Sequence, residues 1–209
     1  MILPMFPLGS VLLPGEVLPL HIFEPRYQTM LQHCLSATDP SFGVVLIAQG
    51  HEAGGGDVRH DVGTIARIVA HKDLGDGRHV VECIAGERIR VDAWLQDDPY
   101  PRADVRLWPD DDGDTVTESD CAEVAMRIAE LYRLVGELSA SEGTTPTPGP
   151  VFAELPPELG KSLYALAAQI PMGESDRQDV LRAPSAAERL AAIVESIENV
   201  SDIVRFRMQ

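Results

Sequence analysis

Cysteine is scarce in this sequence of 209 residues, which has only Cys34, Cys83 and Cys121. Their number is odd and they lie far apart. This spacing argues against a disulfide framework and against a Cys-x-x-Cys metal site. We therefore predict three reduced thiols in the core of the fold.

Long apolar runs are also missing. No segment approaches the roughly 20 apolar residues that a membrane helix needs, and prolines interrupt the apolar stretch near the N-terminus. The basic residues that open a signal peptide do not precede that stretch. These features predict a cytoplasmic protein that does not bind membranes.

Positive charge is in short supply, with 17 basic residues against 33 acidic ones and a net charge of −16. Such a balance repels phosphate backbones, so the composition predicts no nucleic-acid partner. Arg88 and Arg90 are the nearest candidates for a basic patch, because strand alternation places them on one face. A solvated strand face explains them more simply.

The most informative segment present runs from Phe6 to Tyr27 and is broken by four prolines and two glycines. Each proline locks φ and removes a hydrogen-bond donor, so the apolar residues between them form short extended pieces. A helix is predicted only from Pro25 onward. Its apolar stripe comprises Tyr27, Met30, Leu31, Cys34 and Leu35.

This segment closely resembles the opening signature of the Lon protease N-terminal domain family, a substrate-binding domain that also exists as a standalone protein. The resemblance rests on Phe6-Pro7-Leu8-Gly9, Pro14-Gly15, Leu18-Pro19-Leu20 and the run from His21 to Tyr27. Later matches are Gly63-Thr64, Asp76-Gly77-Arg78, Pro99-Tyr100 and Glu188-Arg189-Leu190. It implies a PUA-like β-barrel, followed by helices, that binds substrate without the ATPase and peptidase modules.

Strand patterns dominate residues 1–109. β-branched residues and alternation predict strands over 42–48, 62–71, 78–84, 87–95 and 102–107. The sequence Asp73 to Gly77 predicts a hairpin, and Gly86 predicts a tight turn or a bulge. Together these elements predict an antiparallel barrel.

Helical periodicity replaces this pattern over residues 115–209, so the predicted fold class is α+β with a barrel subdomain and a C-terminal helical bundle. A long helix is expected over 117–138, with Thr117 and Asp120 in a capping box. A flexible segment is predicted over 139–150. Three shorter helices follow, over 159–170, 175–182 and 185 to about 200, and we expect all of them to dock on the rest of the chain as one unit.

Motifs that suggest catalysis fail on inspection. Gly160-Lys161-Ser162 resembles the end of a P-loop, but Leu155 stands where that motif needs glycine. Ser185 resembles a peptidase serine in its neighbours, yet with Glu188 three residues later it makes a good N-cap. His21 has no nucleophile beside it and is expected to be a hydrogen-bonded structural histidine. We predict no catalytic residue.

Two clusters of polar residues raise the question of a metal. His51, Asp57, His60 and Asp61 surround a Gly-rich tip, but their spacing is not diagnostic of a site. Asp110-Asp111-Asp112 with Asp114 lacks the closing Glu of a calcium loop. A solvated hairpin tip and a solvated turn explain them, and no metal or cofactor is predicted.

The predicted function is a noncatalytic module that captures exposed or unfolded polypeptide, because an irregular barrel edge can add an extended peptide by main-chain pairing. The candidate binding residues are Leu13, Val17, Leu18, Phe23, Val44 and Leu46, with core packing as the alternative for each. Two other functions stay open: a barrel that binds a small molecule, and a dedicated adaptor for one folded partner. The sequence does not specify an oligomeric state.

Overall fold

The computed structural model describes residues 1–50, 56–113, 115–145, 148–152 and 156–209. These residues divide into two compact units, Met1–Pro109 and Asp110–Gln209. The first unit contains six strands and one helix. In chain order they are β1 (Ile2–Leu8), β2 (Val17–Ile22), α1 (Pro25–Leu35), β3 (Ser41–Gln49), β4 (Val58–Gly75), β5 (Arg78–Trp94) and β6 (Arg102–Leu107).

The sheet of the first unit closes on itself. Strands pair in the order β2-β5-β4-β3-β1-β6, and β5 pairs with β6 as well, so five strands form a ring to which β2 is attached. All pairs are antiparallel except β1 with β3, where Met5 lies beside Gly43 in a parallel register. The expectation of a wholly antiparallel barrel is therefore wrong at this pair. A parallel pair needs a crossover connection, which β2 and α1 provide here.

Strands β4 and β5 form one long hairpin. It turns at Asp76 and Gly77, which have φ angles of 54° and 74°, as a type I′ Asp-Gly turn requires. The predicted hairpin is thus confirmed. The two strands expected on either side of Gly86 are one continuous strand, and Gly86 lies where the β4–β5 register shifts. It marks a bulge and not a turn.

Helix α1 covers part of the core of the first unit. Pro25 lies in its first turn, and Tyr27, Met30, Leu31 and Cys34 are its buried residues, which confirms all of the predicted stripe except Leu35. The Tyr27 ring stacks on Phe6 at 4.1 Å between centroids. Against these residues pack the inward side chains of the sheet, including Leu20, Ile22, Val81 and Cys83.

The second unit contains four helices within its described residues: α2 (Glu118–Glu142), α3 (Leu159–Ala167), α4 (Glu174–Arg182) and α5 (Ala186–Arg207). Helix α2 continues to Glu142 and ends at Gly143, whose φ is 67°, so residues 139–142 are helical and not part of a loop. Helix α5 spans 22 residues and is longer than expected, since the apolar stripe continues to the buried Val204. In the described part of the chain, no helix is both long and apolar enough to cross a membrane.

The capping box that the sequence predicts is present at the start of α2. The Asp120 amide donates to the Thr117 hydroxyl at 3.2 Å, and the Thr117 amide donates to the Asp120 carboxylate at 2.7 Å. This second bond, with one from the Thr117 hydroxyl, holds the pKa of Asp120 below its ordinary value. Part of the stabilisation by the box therefore depends on the ionised form of Asp120.

We expect Thr117→Ala to lower the free energy of unfolding by about 1 kcal/mol at pH 7, as for other N-caps. A carboxylate with a lowered pKa adds stability above its unfolded pKa and loses it as the pH falls through the folded pKa. The difference between the wild type and the variant should then shrink below about pH 4. Urea unfolding at pH 7 and pH 3.5 measures both. If wild type and variant differ in unfolding free energy by the same amount at both pH values, the expected contribution of the Asp120 charge is contradicted.

All three cysteines are free and buried, which confirms the prediction of core thiols. Burial raises the pKa of Cys34 to about 11 and, with help from Cys34 and Glu82, the pKa of Cys83 to about 12. Thiols that stay protonated react slowly with disulfide reagents.

We expect native protein at pH 8 to react far more slowly with an aromatic disulfide reagent than urea-unfolded protein, which should titrate three thiols. A thiol whose folded pKa is raised also stabilises the fold fully below its unfolded pKa, about 8.5. That contribution falls as the pH rises toward 11. Rapid stoichiometric labelling of the native protein would show that these core residues are accessible.

Candidate functional site

Strand β2 alternates strictly between buried and exposed side chains. Leu20 and Ile22 are buried and Leu18 is half-buried against the same core, whereas the three odd-numbered residues Val17, Pro19 and His21 are exposed. Successive residues of a strand point to opposite faces of the sheet. The strand thus presents one apolar face to helix α1 and a second face to solvent.

One side of the β2 backbone has no partner strand within the described residues. β2 is the terminal strand of the sheet and pairs with β5 alone. The Glu16 carbonyl accepts from the Ala85 amide at 2.9 Å, so by alternation the polar groups of Val17, Pro19 and His21 are directed away from β5. We call these outward backbone groups the β2 edge. Pro19 has no N–H to leave unpaired, as is usual for proline on an edge strand.

The exposed side chains of β2 continue across β5. Val17 lies opposite Ile84, Pro19 opposite Glu82, and His21 opposite Val80. Val17 and Ile84 are 58% and 43% exposed, which makes an apolar pair open to solvent. We call the surface formed by these six side chains the outer face. It adjoins the β2 edge directly.

Three of the predicted binding residues are not exposed. Leu13, Val44 and Leu46 are 0%, 1% and 8% exposed. Val44 belongs to the core beneath α1, and Leu13 donates its amide to the Glu16 carboxylate at 2.7 Å. The expectation that they form a surface is wrong, because removing these aliphatic side chains from water stabilises the fold.

The other three predicted residues lie in or beside β2. Val17 is on the outer face, Leu18 is half-buried on the opposite face, and Phe23 follows the strand with 63% of its surface exposed. Sequence reasoning missed Pro19 and His21. The period-two alternation from Val17 to Ile22 separates the two faces of the strand, and it would have placed Pro19 and His21 on the same face as Val17. His21, for which the sequence predicts a hydrogen-bonded structural role, is exposed.

The residues that resemble catalytic motifs have structural contacts. Ser162 is buried and donates its hydroxyl to the Pro156 carbonyl at 2.6 Å, and Lys161 pairs with Glu158 at 2.8 Å. The Ser185 hydroxyl accepts from the Glu188 amide at 3.2 Å, which confirms Ser185 as an N-cap. Leu155 lies outside the described residues.

Arg88 and Arg90 lie on one face of β5, as alternation predicts, but that face is not simply solvated. Both guanidinium groups lie over the Trp108 ring, at 4.6 and 5.3 Å from its centroid, and Arg88 is only 5% exposed. The local sequence does not reveal this cation–π contact, and the contact is the reason why the face is not simply solvated.

Some of the residues considered as metal ligands form ion pairs, and others lie outside the described residues. Asp57 pairs with Arg59 at 2.6 Å; burial alone would raise the pKa of Asp57, but bonds from Arg59 hold it below its ordinary value. Asp110 pairs with Arg189, so the expected solvated turn is wrong at this residue. No group of three or more potential ligands occurs in the described ranges. His51 and Asp114 fall outside those ranges.

Comparison with known protein families identifies the family of this chain. Residues 2–199 match the family model of the ATP-dependent protease La (LON) substrate-binding domain. The chain therefore belongs to that family, which represents the substrate-binding part of Lon and not its catalytic part.

The relatives extend the same comparison. Lon protease of Anaeromyxobacter dehalogenans is 25% identical over 98% of this chain, and Lon protease 2 of Myxococcus xanthus is 26% identical over 98%. The chain spans about a quarter of the length of both, 24% in each case. Protein cereblon of Danio rerio is 29% identical over 52% of this chain.

Solved structures agree on the fold. The Lon N-terminal domain protein from Xanthomonas campestris gives a TM-score of 0.65 at 24% identity, with 93% of this chain and 98% of that chain covered. The N-terminal domain of Mycobacterium avium complex Lon protease gives 0.60 at 14% identity, with 95% and 99% covered. The mixed α+β fold predicted from the sequence is confirmed.

Proposed function

We propose that this chain is a noncatalytic module that binds exposed or unfolded polypeptide. Membership of the substrate-binding family supports a polypeptide ligand. The single observation that carries the proposal is the β2 edge, which has no partner strand among the described residues and adjoins the apolar pair Val17 and Ile84. Unfolded chains offer free main-chain groups and large apolar side chains together, whereas folded proteins pair most of their main-chain groups and bury most of their large apolar side chains.

Main-chain pairing explains how one site accepts many sequences. An extended peptide that adds to a sheet edge gains its hydrogen bonds from the backbone, which is common to all sequences. Apolar side chains beside the edge then favour hydrophobic segments. A substrate-binding domain requires this combination of broad acceptance and mild selectivity.

The charges of the chain argue for a protein partner and against nucleic acid. The net charge of −16 repels phosphate, and the two arginines closest to forming a basic patch are stacked on Trp108. Free, buried cysteines suit a reducing compartment. We infer a cytoplasmic role in which this domain selects polypeptides and another component supplies any proteolysis.

Binding to matched forms of one protein tests the proposal. A small disulfide-containing protein, reduced and alkylated so that it stays unfolded, should bind with micromolar affinity in fluorescence anisotropy, and its native form should not. The same mixture with ATP and Mg²⁺ should show neither nucleotide hydrolysis nor cleavage. Equal affinity for both forms, or turnover abolished by one substitution in this chain, would contradict the proposal.

A further inference from the structure

The β2 edge has an unusual pattern of hydrogen-bonding groups. Three carbonyls, those of Val17, Pro19 and His21, are directed outward, but only Val17 and His21 have an N–H. An incoming strand therefore meets two donors and three acceptors. Its central residue, opposite Pro19, donates to the edge and receives nothing from it.

A carboxylate stands behind this central position. Glu82 is exposed on the outer face opposite Pro19, and it has no ion-pair partner in the part of the chain that the structure describes. Neighbouring strands lie about 4.8 Å apart, so a residue added opposite Pro19 would have its Cβ about 10 Å from that of Glu82. Only long side chains span this separation. Lysine and arginine do so with a positive charge, above the compact ring of Pro19.

The positions on either side of the centre are different. Val17 and Ile84 form the exposed apolar pair at one end of the outer face, and Val80 lies beside His21 at the other. An incoming strand would place its residues two positions before and after the central one next to these pairs. Aliphatic or aromatic side chains suit both positions.

We propose that the β2 edge binds an extended segment in which a Lys or Arg lies opposite Pro19, with apolar residues two positions to either side. The inference rests on the proposed function and names the class of segment that the domain selects. Charge complementarity argues for this occupant, because the Glu82 carboxylate, which forms no ion pair with the described residues, and the net charge of −16 both favour a basic client.

A second copy of this chain is a poorer occupant of the same edge. In a symmetrical pairing centred on Pro19, the two prolines would face each other and neither would donate a hydrogen bond. Two molecules that each carry a net charge of −16 also repel one another. Sedimentation should therefore show no dimer that depends on β2.

The test compares proline with alanine at the two outward donors. Val17→Pro and Val17→Ala both lose the valine side chain, but only proline loses the N–H, and His21→Pro and His21→Ala form a second matched pair. We expect each proline variant to bind an unstructured peptide, Leu-Ser-Lys-Ser-Val with polar flanks, about 3- to 10-fold more weakly than its alanine partner. Thermal unfolding of each variant establishes that it is folded.

A second series alters only the peptide and needs no folded variant. N-methylation of alternate residues removes donors from one edge of the peptide at a time. Methylation of the lysine and of every second residue from it should weaken binding at least tenfold, and methylation of the intervening residues should have a smaller effect.

The preference for a basic residue is tested by a protein variant. Glu82→Gln should weaken binding about 2- to 5-fold for the lysine peptide but not for its norleucine analogue. Glu87→Gln is the control, since Glu87 on the same strand already pairs with Arg67.

The outcomes separate this inference from the proposed function. If the unfolded protein and the peptide bind, but proline and alanine variants are equal and the two methylated series behave alike, edge pairing is overturned while polypeptide binding stands. If Glu82→Gln affects both peptides equally, the basic preference is overturned. A dimer lost in Val17→Pro would identify a second copy as the occupant. If wild-type protein binds no unfolded client, the proposed function itself fails.

Discussion

Asp110→Ala should destabilise the second unit by about 3–5 kcal/mol, the usual cost of leaving a buried charge without its partner. Arg189 on α5 is 0% exposed. Its guanidinium group donates to both carboxylate oxygens of Asp110, donates to the Gly160 carbonyl at 3.2 Å, and lies 3.9 Å from the centre of the Tyr164 ring. Among the described residues, removing Asp110 leaves one carbonyl and one aromatic ring to stabilise the full charge of Arg189. Urea unfolding, monitored by the circular dichroism signal of the helices, measures the loss of unfolding free energy.

The neighbouring residue provides a matched control. Asp111 contributes its backbone N–H to the Pro184 carbonyl, and it is exposed, so Asp111→Ala should change stability by less than about 0.5 kcal/mol. Combining Asp110→Ala with Arg189→Met should recover part of the loss, because the unpaired charge is then gone. Equal effects of the two aspartate substitutions would show that the ion pair contributes nothing specific.

Gly63→Ala should cost about 3 kcal/mol in the first unit, at the upper end of the range for overpacking. A Cβ at this position would overlap the Val44 carbonyl oxygen and lie 2.6 Å from Val45 Cγ1. Backbone atoms within a paired strand cannot move aside as a side chain can. The β3–β4 pairing at Val45 and Gly63 would then have to open.

Gly86→Ala is the control for this effect in the same hairpin. The nearest atom to a Cβ there is Arg67 Nε, at 3.5 Å, which belongs to an exposed and flexible side chain. We expect less than about 1 kcal/mol of change, measured as a shift in the urea midpoint. A loss at Gly86 as large as that at Gly63 would mean that chain stiffness and not steric overlap determines both values.

Local patterns allowed several elements to be predicted from the sequence. Strand β6 has the predicted bounds, Arg102–Leu107, because its alternation is confined to those residues. Helix α2 begins where Thr117 and Asp120 form their capping box. In each case the determining interactions lie within a few residues along the chain.

Long-range contacts were not predictable in this way. The parallel pairing of β1 with β3 depends on how β2 and α1 cross the sheet, and Arg189 and Asp110 are 79 positions apart. The candidate site was predicted only in part. Val17 was included correctly as an exposed residue, but Leu13 and Val44 are equally apolar and only closure of the sheet determines that they are buried. The expectation that the two subdomains, 1–109 and 115–209, form one unit stays a prediction.

Amide hydrogen exchange, followed residue by residue by NMR while an unfolded client is added, tests the central claim most directly. Strand addition pairs the outward N–H groups of Val17 and His21, so we expect their exchange to slow at least tenfold when the client saturates. The Leu18 and Leu20 amides, already directed toward β5, should change much less. Client binding that leaves Val17 and His21 exchanging as fast as in the free protein would contradict the assignment of the β2 edge as the polypeptide-binding site.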